Sequence, residues 1–198
     1  MATKKKLFNI LKNEIFLLWS QDKNLKKFVN LPKNLIYNSL PKKKYRSVEI
    51  FERWKENENS IKSIHKLIRK VSPYANWRQT YKEKDVGKKF LKKFAYFELF
   101  GPRGHFLTNV MSLYVIFFDK NAYYIWHKHE AEELYYVISG NAKFESLNSK
   151  TKILFKSQFR YHHSYQPHSL TTSKDMCLCI VLWKDKLESE LIIKKNRF

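Results

Sequence analysis

The chain has 198 residues, 43% hydrophobic and 16% aromatic, which is enough for one domain with a substantial core plus an appendage and too apolar for a disordered chain. Its formal net charge is +21, yet no stretch reaches the roughly 18 apolar residues that a membrane-spanning helix needs. Four glycines and five prolines leave little room for long flexible linkers.

The N-terminus, MATKKKLFNILKNEIFLLW, superficially resembles a signal peptide, but Lys12, Asn13 and Glu14 break its apolar run and no small-residue cleavage site follows. Leu7, Ile10, Leu11, Ile15, Leu18 and Trp19 recur at helical spacing, which predicts one amphipathic helix ending before Leu31-Pro32. A basic connector over 31–46 follows. A second helix is expected near Ser47, interrupted by Asn57-Glu58-Asn59-Ser60. Ile61, Ile64, Leu67, Ile68 and Val71 mark a third helix, stopped by Ser72-Pro73. Trp77, Arg78 and Tyr81 lie in a polar segment that closes near Gly87.

These first ninety residues hold 23 Lys/Arg against 8 Asp/Glu, a net of +15. Such a balance raises nucleic acid as a partner. Most of the basic residues are lysine, however, scattered among Asn and Ile, arginine is scarce, and no nucleic-acid motif accompanies the charge. The charge is therefore read as solvated surface, with no specific nucleic-acid partner and no membrane.

From Phe94 the period changes to that of strands. FAYFELFG, a Gly101-Pro102-Arg103-Gly104 turn, VMSLYVIFF, KFESLN, KILFKSQF and MCLCIVLW alternate with short polar turns. Short strands at regular spacing predict a barrel or sandwich. The expected organisation is a helical extension over 1–90 and a β-barrel over 91–198. Cys177 and Cys179 sit at i and i+2 in one strand, poorly placed to bridge, as in a reduced cytoplasmic protein.

The most informative stretch is AYYIWHKHEAEELYYVISG, residues 122–140. His127 and His129 share a strand face, and Glu133 completes the spacing H-x-H-x3-E. Tyr135, Val137 and Ile138 lead into Ser139-Gly140 as a buried strand ending in a turn. Imidazoles plus a carboxylate suit a divalent metal ion such as Zn, Fe(II), Mn or Ni, and His168 in YQPHSL offers a fourth ligand. Five of the seven histidines fall between positions 127 and 168, against the blander reading of scattered core histidines. Glu130 and Glu132 read as solvated.

His127, His129, Glu133 and Gly140, followed by a histidine after proline, resemble the cupin superfamily. That resemblance implies a small double-stranded β-helix barrel, jelly-roll-like and mainly β, preceded here by the helical extension. The second cupin motif lacks its usual glycine in RYHHSYQPHSL, which leaves His162 and His163 as alternatives to His168. Over roughly residues 77–185, the chain is similar to the cupin-type dimethylsulfoniopropionate lyases, carbon–sulfur lyases that release dimethyl sulfide and acrylate. The resemblance implies His129, Glu133 and His168 as metal ligands, Tyr135 as general base, and His127 and Tyr124 as pocket residues. Tyr124, Trp126 and Trp183 are candidates to hold the sulfonium by cation–π attraction. Other expectations stay open: a different metal-dependent cupin enzyme (an Fe(II) oxygenase or an isomerase), or a non-enzymatic ligand- or nucleic-acid-binding cupin. If the chain assembles, a homodimer is the expected form.

Overall fold

The computed structural model describes residues 2–55 and 64–194. The expected break at Asn57–Ser60 and the helix position Ile61 lie outside those residues. The N-terminal layer comprises α1 (Ala2–Gln21), α2 (Lys23–Phe28), β1 (Ile36–Tyr37), α3 (Arg46–Arg53), α4 (Ile64–Val71), α5 (Glu83–Val86) and α6 (Lys88–Leu91). Strands β2 (Phe94–Gly101), β3 (Phe106–Leu107), β4 (Ser112–Phe118), β5 (Tyr123–Lys128) and β6 (Glu132–Ser146) follow. The barrel is completed by β7 (Ser149–Phe155), β8 (Phe159–His162), β9 (His168–Thr171), β10 (Cys177–Lys184) and β11 (Ile192–Ile193).

Phe8, Leu11, Ile15 and Trp19 form the buried stripe of α1, at the spacing of one helix face. The single long helix of the sequence reading is in fact two. Asp22 interrupts it by accepting the amides of Asn24 at 2.7 Å and Leu25 at 3.1 Å, so it caps α2 instead of continuing α1. The connector after Pro32 also contributes β1, which pairs with β3.

The strands run in the order β1-β3-β2-β4-β10-β6-β9-β5-β11, with β7 and β8 paired to β6. Both faces of the central strands are buried, which explains their near-continuous apolar runs. Alternate residues serve two separate cores. Phe97, Val115, Phe117, Leu134, Tyr136, Ile180 and Leu182 pack outward against the helical layer. Phe94, Phe118, Tyr135, Val137, Cys179 and Val181 point into the barrel. Helices α1–α4 thus cover one outer face of the sheet, while Val86 of α5 and Phe90 of α6 pack with the residues of the barrel interior.

β6 is longer than the sequence predicts, because Gly140 does not end it. Gly140 has φ +70° and a Cβ there would come within 1.8 Å of the Met176 carbonyl oxygen, so only glycine fits the bend. Before the bend β6 pairs with β10 and β8, and after it with β9 and β7. One strand therefore serves both sheets of the barrel. Among the described residues, no helix is long and apolar enough to cross a membrane.

Candidate metal centre and active-site cavity

Strand ends deliver the functional side chains to the barrel interior. Tyr124 and His127 lie three apart on β5, which would place them on opposite faces of a regular strand. A register shift against β9 between these two positions turns both inward, and their rings stack at 4.0 Å. His129 follows one residue beyond β5, its ring 6.2 Å from that of His127. His168 opens β9 directly opposite His127. Glu133 is the second residue of β6, and Trp183 on β10 is its cross-strand neighbour, donating Nε1–H to Oε1 at 2.8 Å.

The candidate ligands converge. One ligand atom each from His127, His129 and His168 lies within 4.8 Å of the others, and the same holds for Glu133, His162 and His168. All five residues are buried. The tautomers are set by the backbone: Nδ1 of His127 meets the Ile125 carbonyl at 2.8 Å, that of His129 meets Ala131 at 2.9 Å, and that of His168 meets Gln166 at 2.8 Å. A carbonyl only accepts, so each Nδ1 carries a proton, and in the neutral imidazole each Nε2 is left with a lone pair.

Those lone pairs face Glu133. Nε2 of His168 stands 3.0 Å from Oε2 and that of His129 stands 3.5 Å from Oε1. The geometry is nevertheless not that of hydrogen bonds: both nitrogens and Oε2 are buried without a hydrogen-bond partner among the described residues. Lone pair against lone pair, away from water, is a cost unless a cation lies between them. Two imidazole nitrogens and a carboxylate oxygen turned inward, each imidazole oriented by a carbonyl behind it, fit a divalent metal ion in both donor type and arrangement.

Burial alone would raise the Glu133 carboxyl, but with positive charge on His129 and His168 it is held well below the usual carboxylate range; neutral imidazoles would need a cation between them and the carboxylate to do the same. Burial, with help from His168, holds His127 well below the ordinary histidine value, so it is a neutral donor at physiological pH. Tyr135 and Tyr124 are pushed well above the ordinary tyrosine value, first by burial and then by the Glu133 charge. Both are phenols unless a nearby cation outweighs burial as well as that charge.

A cavity of about 530 Å³ opens above this cluster, with His127, Glu133 and Tyr135 in its lining and Tyr81, Tyr114, Tyr124 and Trp183 among its walls. Trp126 is placed differently from the sequence expectation. It is buried but lines no part of the cavity, because its neighbour His127 takes the inward face of β5. His163 is exposed and packs on Tyr161 instead of entering the site. Glu130 and Glu132 pair with Lys186 and Lys184 at the surface, in keeping with solvated carboxylates.

Several wall residues escaped the sequence reading. Tyr81, from the helical layer, touches the Tyr124 hydroxyl with its own. Arg78 lines the cavity and binds the buried Glu98 at 3.1 Å, while Tyr96 and Tyr114 alternate inward on β2 and β4. His162, an alternative left open by the sequence, is buried and stacks on His168 at 4.0 Å.

A barrel of this strand order, with inward-facing histidines and a glutamate at strand ends, defines a cupin-type protein with a cluster able to hold a divalent metal. The sequence profile of the dimethylsulfoniopropionate (DMSP) lyases matches residues 20–179, and the chain belongs to that family. The DMSP lyase DddQ of Ruegeria pomeroyi is 31% identical over 119 residues, covering 60% of this chain and 59% of that relative's length. A crystal structure from work on the DMSP lyases RdDddP and RnDddQII superimposes with a TM-score of 0.90 at 29% identity, covering 96% of this chain and 99% of that one. The crystal structure of Ruegeria pomeroyi DddQ gives a TM-score of 0.90 at 25% identity, covering 98% and 99%.

Proposed function

We propose that this chain cleaves DMSP by β-elimination to dimethyl sulfide and acrylate. His129, Glu133 and His168, with His127 beside them, would hold a divalent metal, and Tyr135 is the general base. The observation that carries this reading is that Nε2 of His129, Nε2 of His168 and Oε2 of Glu133 are buried without hydrogen-bond partners among the described residues, beneath a partly open cavity walled by aromatic side chains. Family membership and the two DMSP lyase structures support the substrate.

The chemistry follows from the residues. A proton alpha to a carboxylate is weakly acidic, and a bound Zn, Fe(II), Mn or Ni ion supplies positive charge where negative charge develops. Tyr135 lies two residues after Glu133 on β6 and therefore on the same face of the strand. Its phenolate oxygen takes the alpha proton. The electrons of that C–H bond form the new C=C bond as the C–S bond breaks, and the C–S pair leaves on sulfur as neutral dimethyl sulfide. No strong acid is needed for that leaving group. Trp183 lines the cavity and is the candidate to hold the sulfonium by cation–π attraction, a contact worth about 0.5–2 kcal/mol, whereas the Tyr124 ring is already stacked on His127 and Phe90.

Headspace gas chromatography tests this directly. Protein loaded in turn with Zn, Fe(II), Mn and Ni is mixed with DMSP and compared with His129→Ala. Metal-dependent dimethyl sulfide release that the variant loses is the expected outcome. Folded, metal-bound protein that releases none with any metal would refute the activity.

A further inference from the structure

His162 is hydrogen-bonded in the opposite sense to the other imidazoles gathered at Glu133. His127, His129 and His168 each give Nδ1–H to a backbone carbonyl. His162 instead places Nδ1 at 3.1 Å from the Ser146 hydroxyl, and that oxygen also receives Nε–H of Arg160 at 3.2 Å. A guanidinium can only donate, so it takes a lone pair of Oγ and leaves the hydroxyl hydrogen to point at Nδ1. The reverse choice, with Nδ1–H donated to Ser146, would strand a buried hydroxyl hydrogen without an acceptor among the described residues. An imidazole that accepts at Nδ1 carries its proton on Nε2, and this Nε2 is buried and without a partner among the described residues.

Strand register supplies the acceptor. Glu133 on β6 stands directly opposite Trp183 on β10 and directly opposite His162 on β8. Side chains directly across a ladder share a face. Trp183 already holds Oε1, whereas Oε2 has no hydrogen bond among the described residues, and the ligand atoms of Glu133, His162 and His168 lie within 4.8 Å of one another.

We propose that His162 is not a metal ligand but a positioning residue whose Nε2–H donates to Glu133 Oε2, so that N–H groups from both neighbouring strands grip the carboxylate. The Arg160–Ser146 pair fixes its tautomer. An oxygen of a carboxylate has a second lone pair, so Oε2 can accept this proton and still face a metal. The ligand assignment rests on the metal reading above, but the tautomer does not.

The first test needs neither metal nor substrate. Long-range proton–nitrogen correlations of the full chain, labelled with ¹⁵N-histidine and free of metal, should show His162 protonated at Nε2 and His127, His129 and His168 at Nδ1. Ser146→Ala should move His162 towards the Nδ1 form. A wild-type His162 protonated on Nδ1, or a tautomer indifferent to Ser146→Ala, would overturn the relay. The second test titrates Co(II) alone into wild type, His162→Phe, which keeps the ring stacked on His168, and His162→Gln, which keeps an N–H donor. The visible band should keep its shape and intensity in all three. Affinity should fall about tenfold or more in His162→Phe, the effect of losing a residue that orients a ligand, and recover in His162→Gln. A band that reports a lost ligand, or a wild-type affinity in His162→Phe, would overturn the proposal. Neither readout uses turnover, so failure here is distinct from failure of the lyase assignment, which the sulfide assay alone decides.

Discussion

Arg78→Met removes the guanidinium that pairs with Glu98 at 3.1 Å, in the wall between the helical layer and the cavity. Glu98 is 2% exposed, and its remaining contacts, the Ser112 hydroxyl at 3.3 Å and the Arg103 amide at 3.5 Å, are long. Breaking a buried pair by removing one partner costs about 3–5 kcal/mol. Because the Arg78 side chain is 22% exposed, water recovers part of this, which places the expected loss near the low end, about 3 kcal/mol. For a chain of this size that corresponds to roughly 6–12 °C in Tm. The loss should also depend on pH. Burial already raises the Glu98 carboxyl above its ordinary value while Arg78 opposes the rise, so removing Arg78 raises it further. A carboxyl raised in the folded state binds more protons there than in the unfolded chain. The variant should therefore regain stability as pH falls from neutrality towards the ordinary carboxylate range. Urea unfolding of both proteins at pH 7.5 and 5.5 measures this, and Arg78→Met/Glu98→Leu should recover most of the loss because no charge is left buried. A single variant within 0.5 kcal/mol of wild type at pH 7.5, or a double variant no better than the single, would refute the reasoning.

Other outcomes follow from the same geometry. Tyr135→Phe should keep fold and metal affinity but reduce turnover about 10²–10⁴-fold, the usual contribution of a general base; steady-state sulfide release reads it, and unchanged turnover removes Tyr135 from the mechanism. Zn at 100 times its Kd should add about 2.7 kcal/mol to unfolding stability. The gain should vanish with chelator or in His129→Ala, as followed by thermal melts, and a Zn shift that survives in the variant would place the ion elsewhere. His105 is buried against Phe8, accepts the Asn76 amide at 3.1 Å, and is pushed down to about 3 by burial, with Lys4 and Arg78 adding to the effect. A depressed folded value means that the unfolded chain binds a proton the folded one refuses, so this stability is present above about pH 6.5 and lost as pH falls towards 3. His105→Gln should flatten the acid limb of a denaturation profile between those limits, and an unchanged limb would assign it to other groups.

The fold was readable where one physical rule dominated. The α1 stripe and the strands β2, β4 and β10 follow from periodicity and from apolar runs buried on both faces. The reading failed where a single polar side chain or glycine overrode the pattern. Asp22 ended a helix whose apolar spacing ran on, because a carboxylate two residues before free amides outcompetes the i–4 carbonyl. Gly140 looked like a turn but is a bend within β6, where φ is +70° and the Met176 carbonyl comes too close for any Cβ. Strands β8, β9 and β11, each four residues or fewer, carry too few residues for an alternation to register.

The site divides along a different line. His127, His129, Glu133 and His168 could be gathered from spacing because a metal would constrain residue type and offset together; the structure sets His127, His129 and His168 in one triad and Glu133 with His162 and His168 in another. Spacing alone cannot distinguish a histidine that offers a lone pair from one that offers a proton. That distinction depends on what stands behind the ring: a carbonyl two residues away for His127, His129 and His168, and a hydroxyl held by Arg160 for His162. The carbonyls lie two residues from each ring in the chain and are nearly implicit in it. Ser146 reaches His162 across sixteen residues, only because β6 runs unbroken past Gly140 and carries it to the same site as Glu133. The same continuity that hides β6 from a residue-by-residue reading therefore lets one strand provide a ligand, the proposed base and the group that sets a neighbour's tautomer. A substitution that stops β6 at Gly140 would be expected to disturb all three at once.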